Sequence, residues 1–200
     1  MNLASLYPLI LEHMYIVLIA MAIAVALGVL LGVAAYWVKF IAPLLMGLAE
    51  TIQTIPSLAL LSMLMILFGL GNTTMIAGLV LYALLPIMRN THTGLTGVSG
   101  AVKDAARGMG MSRLQRLFKV ELPLSFPLIF SGIKIALVNS LSIAVMGVLI
   151  GAGGLGYPIY RGIQTRKLDR ILTGALPVVL MALLFDFLMT RIEKRLSKQG

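Results

Sequence analysis

The chain contains no cysteine, which excludes a disulfide framework and any thiolate metal site. Its two histidines, His13 and His92, stand far apart and outside any metal-ligand spacing. Each is read as a residue of a membrane interface, and no metal site is expected. Charge is scarce: Asp, Glu, Lys and Arg make up 12% of the chain, against about 25% in a soluble domain. Acids are the rarer sign, 7 against 16 Lys plus Arg. No Gly-xxxx-Gly-Lys-Ser/Thr loop is present, so the chain has no phosphate cradle of its own for ATP. His-Glu-xx-His and Gly-x-Ser-x-Gly are also missing, and no nucleophile–base pair replaces them. An intramembrane enzyme is not expected. Aromatic residues are 7% of the chain, with a single Trp, and form no cluster within the apolar runs.

What the chain has in abundance is apolar sequence. It is 60% hydrophobic with a mean hydropathy of +1.01, which reads as an all-α integral membrane protein. A span needs about 20 mostly apolar residues. Five candidates meet that length or come near it: 14–38, 44–70, 74–90, 124–150 and 171–190. They form a single transmembrane domain over 1–200. The second is entered through Glu50 and interrupted by Pro56, and the third carries Pro86. No cleavable signal peptide is expected, because Met1–His13 lacks Lys and Arg.

Five spans put the termini on opposite sides. Eleven basic residues share the side of segment 93–123 and of the C-terminal tail: Lys39, Arg89, Lys103, Arg107, Arg113, Arg116, Lys119, Arg191, Lys194, Arg195 and Lys198. Four, Arg161, Arg166, Lys167 and Arg170, lie on the other side, in the loop 151–170. The positive-inside rule then places the N-terminus outside, the C-terminus and segment 93–123 in the cytoplasm, and the loop 151–170 outside the cytoplasm. The formal charge of +9 is a topology signal by this reading, and no nucleic-acid partner is expected.

Polar residues inside spans are costly in lipid, so Glu50, Gln53, Asn139 and Asp186 are expected to face the bundle, either in interhelical hydrogen bonds or along a solute path. Gly28-xxx-Gly32 and Gly147-xxx-Gly151 have the spacing that lets helices approach closely. Gly151, Gly153 and Gly156 spell a dinucleotide-binding pattern, but after a span rather than a strand. With Pro158 following, they are expected to form a sharp turn.

The segment 93–123 is the one charged stretch of any length between spans. Val102, Ala105, Ala106 and Met109 have helical spacing, Gly108 and Gly110 interrupt it, and Ser112 with Gln115 fits a capping box. Leu114, Leu117 and Phe118 give the face of a second short helix, and Leu122-Pro123 ends the segment before the span 124–150. Physics alone leaves two readings open. One is a helix–turn–helix that docks on a soluble partner. The other is an amphipathic linker on anionic lipid, with Arg113, Arg116 and Lys119 towards the headgroups.

The spacing Asp104-Ala105-Ala106, Gly110, Val120, Leu122-Pro123 resembles the cytoplasmic signature Glu-Ala-Ala-xxx-Gly-(nine residues)-Ile-x-Leu-Pro of membrane subunits of bacterial ATP-binding cassette importers. Glu has become Asp and Ile has become Val. Three further stretches resemble the osmoprotectant branch of that family, permeases for glycine betaine, carnitine or choline. They are Gln53–Ala59, Leu85–Thr91 and Gly151–Gly156. The resemblance covers roughly residues 10–195. It implies a permease in the bacterial cytoplasmic membrane, with ATPase coupling through Asp104, Ala105, Ala106, Gly110, Leu122 and Pro123. It implies contact with a substrate-binding protein at Gly153, Gly154, Gly156 and Tyr157, and the carbonyls that proline frees inside a span point to a solute path along Gln53, Pro56, Ser57 and Asn139. The implied partners are two ATPase subunits holding ATP and magnesium, an extracytoplasmic binding protein, a second permease copy or paralogue, and membrane lipid. No cofactor is expected in this chain. The alternatives are a same-architecture importer for methionine or a sulfonate, an osmoprotectant-like system for bile-salt exclusion, and a stand-alone channel or secondary carrier. Five spans without an inverted repeat argue against a carrier.

Overall fold

The computed structural model describes residues 3–196, and they are helical throughout apart from short turns. In chain order the helices are α1 (Leu3–Trp37), α2 (Ala42–Thr54), α3 (Ser57–Phe68), α4 (Asn72–Gly97), α5 (Gly100–Gly108), α6 (Arg113–Arg116), α7 (Leu122–Ile143), α8 (Gly156–Thr165) and α9 (Leu168–Leu196). A π-helical turn, Leu117–Glu121, joins α6 to α7, and a 3-10 stretch, Ala144–Ile150, extends α7. Four helical segments are long and apolar enough to cross a membrane, and α2 with α3 makes a fifth if the bent pair is one pass.

The first helix starts at Leu3, well ahead of the span expected from 14. Glu12 and His13 do not end it, because both find polar partners across the bundle. The span expected over 44–70 is not one rod. It breaks between Thr54 and Ser57 and turns through 103°. Pro56 supplies no N–H and forces Ile55 out of the helical region, to φ −69°, ψ 127°. The carbonyl this frees is not left bare: the Tyr82 hydroxyl donates to Ile55 O at 2.5 Å. Span 74–90 lies within the longer α4, and Pro86 sits inside that helix without ending it.

Helices α1, α4 and α7 form the centre. Gly28 and Gly32 let α1 lie against Ile87 and Thr91 of α4: a Cβ at Gly28 would fall 2.8 Å from the Ile87 side chain, and at Gly32 2.6 Å from Thr91. The core there is Ile16, Val17, Ala20 and Ala24 of α1 against Met75, Leu79 and Ile87 of α4 and Leu141 of α7. Helix α9 packs on this centre by one side only, and Leu176, Leu180, Leu183 and Leu184 remain exposed. The segment 151–170 is not an open loop. It holds the ten-residue α8, which reverses at Arg166 (φ 54°) and lies back on α9.

Candidate functional site

At one end of the bundle α5 lies across the ends of α1 and α4. Lys103 donates from Nζ to Leu95 O at 2.9 Å and sits 5.1 Å from the centre of the Tyr36 ring. Ala106 is buried, which seats the helix. Positions 103 and 106 therefore share the inward side, and the exposed Arg107 lies at its edge. Asp104 and Ala105 fall on the opposite side and are exposed. The Asp104 carboxylate accepts from Arg107 at 3.1 Å, a solvent-facing pair one helical turn apart. Such a pair adds little stability and leaves the carboxylate open to other donors.

The chain then reverses. Gly110 takes φ +77°. Its N–H donates to Arg107 O at 2.9 Å and that of Met111 to Ala106 O at 3.2 Å, so the last carbonyls of α5 are satisfied by the paired bonds of a left-handed glycine cap. Ser112 opens α6 with both bonds of a capping box: Gln115 N–H to Ser112 Oγ at 3.3 Å, and Ser112 N–H to Gln115 Oε1 at 2.9 Å. Arg113 donates to Trp37 O at 3.1 Å and stacks 5.4 Å from that ring, tying the reversal to the end of α1.

Leu122-Pro123, expected to close the segment ahead of the span, begins α7 itself, and α6 runs into it through the π turn. Pro123 has no N–H to donate to the preceding turn, and the wider turn accommodates the missing bond. Glu121 is buried in that turn at 1% exposure and holds Arg116 at 2.6 Å. The two apolar faces are largely exposed. Leu117 is covered, but Leu114, Phe118, Val102 and Met109 are exposed. The segment thus shows apolar side chains and one acid outward from a frame fixed by polar bonds.

The glycine stretch lies at the other end. Gly151 and Gly154 have φ of +72° and +97°. The Gly153 N–H donates to Asn72 Oδ1 at 3.0 Å, the Gly154 N–H to Glu12 Oε2 at 3.2 Å, and Asn72 Nδ2 to Glu12 Oε1 at 3.2 Å. A Cβ on Gly153 would stand 1.9 Å from the Glu12 carboxyl carbon. His13 is fully buried beneath Gly154, with Nε2 3.1 Å from Leu141 O, which corrects its reading as an interfacial residue. Gly154 and Gly156 are buried, Gly153 is half-buried and Tyr157 is exposed. Glu12, His13 and Asn72 were missed from sequence. The adjacent acid and imidazole in an otherwise apolar run were the available signal.

The residues placed on a solute path are not gathered in one pocket. Gln53 is exposed and donates to Tyr82 O at 2.9 Å, bracing the α2–α3 bend from the same tyrosine that caps Ile55. Pro56 and Asn139 are exposed and Ser57 is half-buried. Glu50 pairs with Arg89. Asp186 lies 3.2 Å from Lys134 Nζ, and Glu193 3.8 Å from it. No cluster of metal-ligating side chains occurs among the described residues.

The family model described as binding-protein-dependent transport system inner membrane component matches residues 4–198. The chain is 37% identical to the osmoprotectant import permease protein OsmW of Salmonella typhimurium, over 100% of this chain and 95% of that one. It is 42% identical to the carnitine transport permease protein OpuCD of Listeria monocytogenes, over 92% of this chain and 81% of the relative. It is 35% identical to the glycine betaine/carnitine/choline transport system permease protein OpuCB of Bacillus subtilis, over 94% and 87%. Among solved structures, the fold is similar to a chain of the MetNI methionine ABC transporter in an inward-facing conformation. The TM-score is 0.86 at 21% identity, covering 98% of this chain and 99% of that one.

Proposed function

This chain belongs to the family of binding-protein-dependent transport system inner membrane components, and we propose that it forms the pore and the coupling element of an ATP-driven importer for quaternary-ammonium osmoprotectants. The solute class rests on the relatives matched along most of their length, which are permeases for osmoprotectants, for carnitine and for glycine betaine, carnitine and choline. The observation that carries the coupling role is the geometry of α5, with Asp104 and Ala105 turned outward and the helix seated by Ala106 and Lys103.

In this reading the α5 end faces the cytoplasm, as the excess of Lys and Arg there favours. Two ATPase subunits, which bind ATP and magnesium, dock one on each permease. Val102, Met109 and Leu114 offer the apolar contact and Asp104 the acceptor. Gly110 sets the reversal, and Leu122 and Pro123 lead the movement into α7. ATP binding draws the two α5 helices together, and the spans rock between two packings. The rigid polar frame around α5 matters because a docked helix transmits force only if it cannot slide on its own bundle.

Gln53, Pro56, Ser57 and Asn139 are open in a single chain, so a path along them is closed by a second permease, identical or paralogous. High-affinity recognition of the cation belongs to an extracytoplasmic binding protein, since an aromatic cage is lacking in the spans. Tyr157 is the contact for that protein, and Gly153, Gly154 and Gly156 hold the turn behind it. The test is uptake of labelled glycine betaine, carnitine, choline and methionine in cells supplied with the complete gene set. Betaine-class uptake that depends on ATP supports the reading. Uptake of methionine alone, or solute flux without an ATPase, overturns it.

A further inference from the structure

Between α5 and the bundle lies a cavity of about 960 Å³. Lys39, Lys103, Arg107, Arg113 and Arg116 line it, and none of its lining residues is an acid. Asp104 and Glu121 pair with Arg107 and Arg116 from outside that lining. Among the described residues Lys103 and Arg113 meet backbone carbonyls and the rings of Tyr36 and Trp37, none of which supplies an opposite formal charge. Lys39 has no ion-pair partner among the described residues. Three positive charges therefore converge on one hollow, without a counter-ion among the described residues. Like charges so placed repel, and an arrangement of this kind is relieved by a bound anion.

The position of the mouth indicates which anion. Tyr36 and Trp37 end the long apolar α1 and form one wall. Aromatic rings at the end of a span mark the boundary between hydrocarbon and water. Phe40, 92% exposed, and the exposed Leu44 adjoin the lining residues Lys39, Ala42 and Pro43 in the chain and add apolar surface there. A soluble phosphate would use the charges and ignore that surface; a phospholipid uses both. We propose that the cavity binds the phosphate headgroup of an anionic phospholipid, with its acyl chains along Phe40 and Leu44. Such a lipid bridges the α1–α2 turn to α5 and α6, and so steadies the coupling element against the membrane. This rests on the reading of the chain as a membrane permease with α5 at the membrane surface. The binding measurement below needs neither ATPase nor solute, so it fails separately from the importer assignment.

Trp37 is the only tryptophan and lines the cavity, which makes it the reporter. The full chain in nonionic detergent is titrated with phosphatidylglycerol or phosphatidylcholine carrying brominated acyl chains, which quench a nearby indole. Phosphatidylglycerol is expected to quench at about tenfold lower mole fraction. Lys39→Gln with Arg107→Gln should erase most of that preference, and Lys39→Arg with Arg107→Lys should keep it. Lys39→Gln alone, at an exposed and unpaired position, should lose part of it if the double variant does not fold. Lys167→Gln with Arg170→Gln, at the other end, should leave it intact. Equal quenching by the two lipids, or a preference untouched by the Lys39 and Arg107 changes, overturns the site. Displacement of the brominated lipid by millimolar inorganic phosphate at constant ionic strength overturns the lipid as occupant and leaves a soluble-anion site.

Discussion

The two ends of the bundle solve opposite problems with the same residue types. At the glycine end, Glu12 takes the Gly154 N–H on one carboxylate oxygen and the Asn72 amide on the other, so each oxygen has a donor from within the chain. At the α5 end, Asp104 is turned outward with only a solvent-facing arginine beside it. Gly153 sits where a Cβ would collide with a carboxylate, whereas Gly110 sits with open space around it and is held to glycine by φ alone. One end is a closed lock between distant parts of the chain, and the other is an open display on a fixed frame. An acid and a glycine thus say little by themselves; their exposure separates a closed clasp from an open display.

Four substitutions test that contrast through thermal or denaturant unfolding of the purified chain. The largest loss is expected for Arg116→Ala, which leaves Glu121 buried without its partner and should cost about 3–5 kcal/mol. Gly153→Ala should follow at about 3 kcal/mol, because the new methyl displaces the Glu12 carboxylate. Glu12→Ala should cost about 1–3 kcal/mol by leaving the Gly154 N–H and the Asn72 amide unpaired. Gly110→Ala should cost about 1 kcal/mol from the left-handed backbone alone. If Gly110→Ala proved worse than Gly153→Ala, the assignment of lock and display to the two ends would be reversed.

Much of the α5 end was legible in sequence because its signals are local. The reversal at Gly110 and the Ser112–Gln115 box each close within one short stretch of chain, and the residue types there dictate the backbone. The junction into α7 was less so. Leu122-Pro123 reads as a break by composition, but a proline in the first turn of a helix costs no bond that the π turn has not already rearranged. The glycine end was legible only as a turn. Its bonds join Glu12 to Asn72, 60 residues apart, and to Gly154, 142 apart, and no local pattern announces contacts of that range. Pro56 announced an interruption, but not the 103° bend, which depends on Tyr82 and Gln53 bridging to another helix.

The central claim is that the outward side of α5 receives the ATPase. It is tested most directly by co-purification of the ATPase subunit with Asp104→Lys permease, alongside unfolding of the same protein. The account predicts a stability within about 0.5 kcal/mol of the native chain, because Asp104 is exposed, together with loss of the ATPase from the complex and of ATP-dependent uptake. An Asp104→Lys permease that still carried its ATPase and still transported would contradict it.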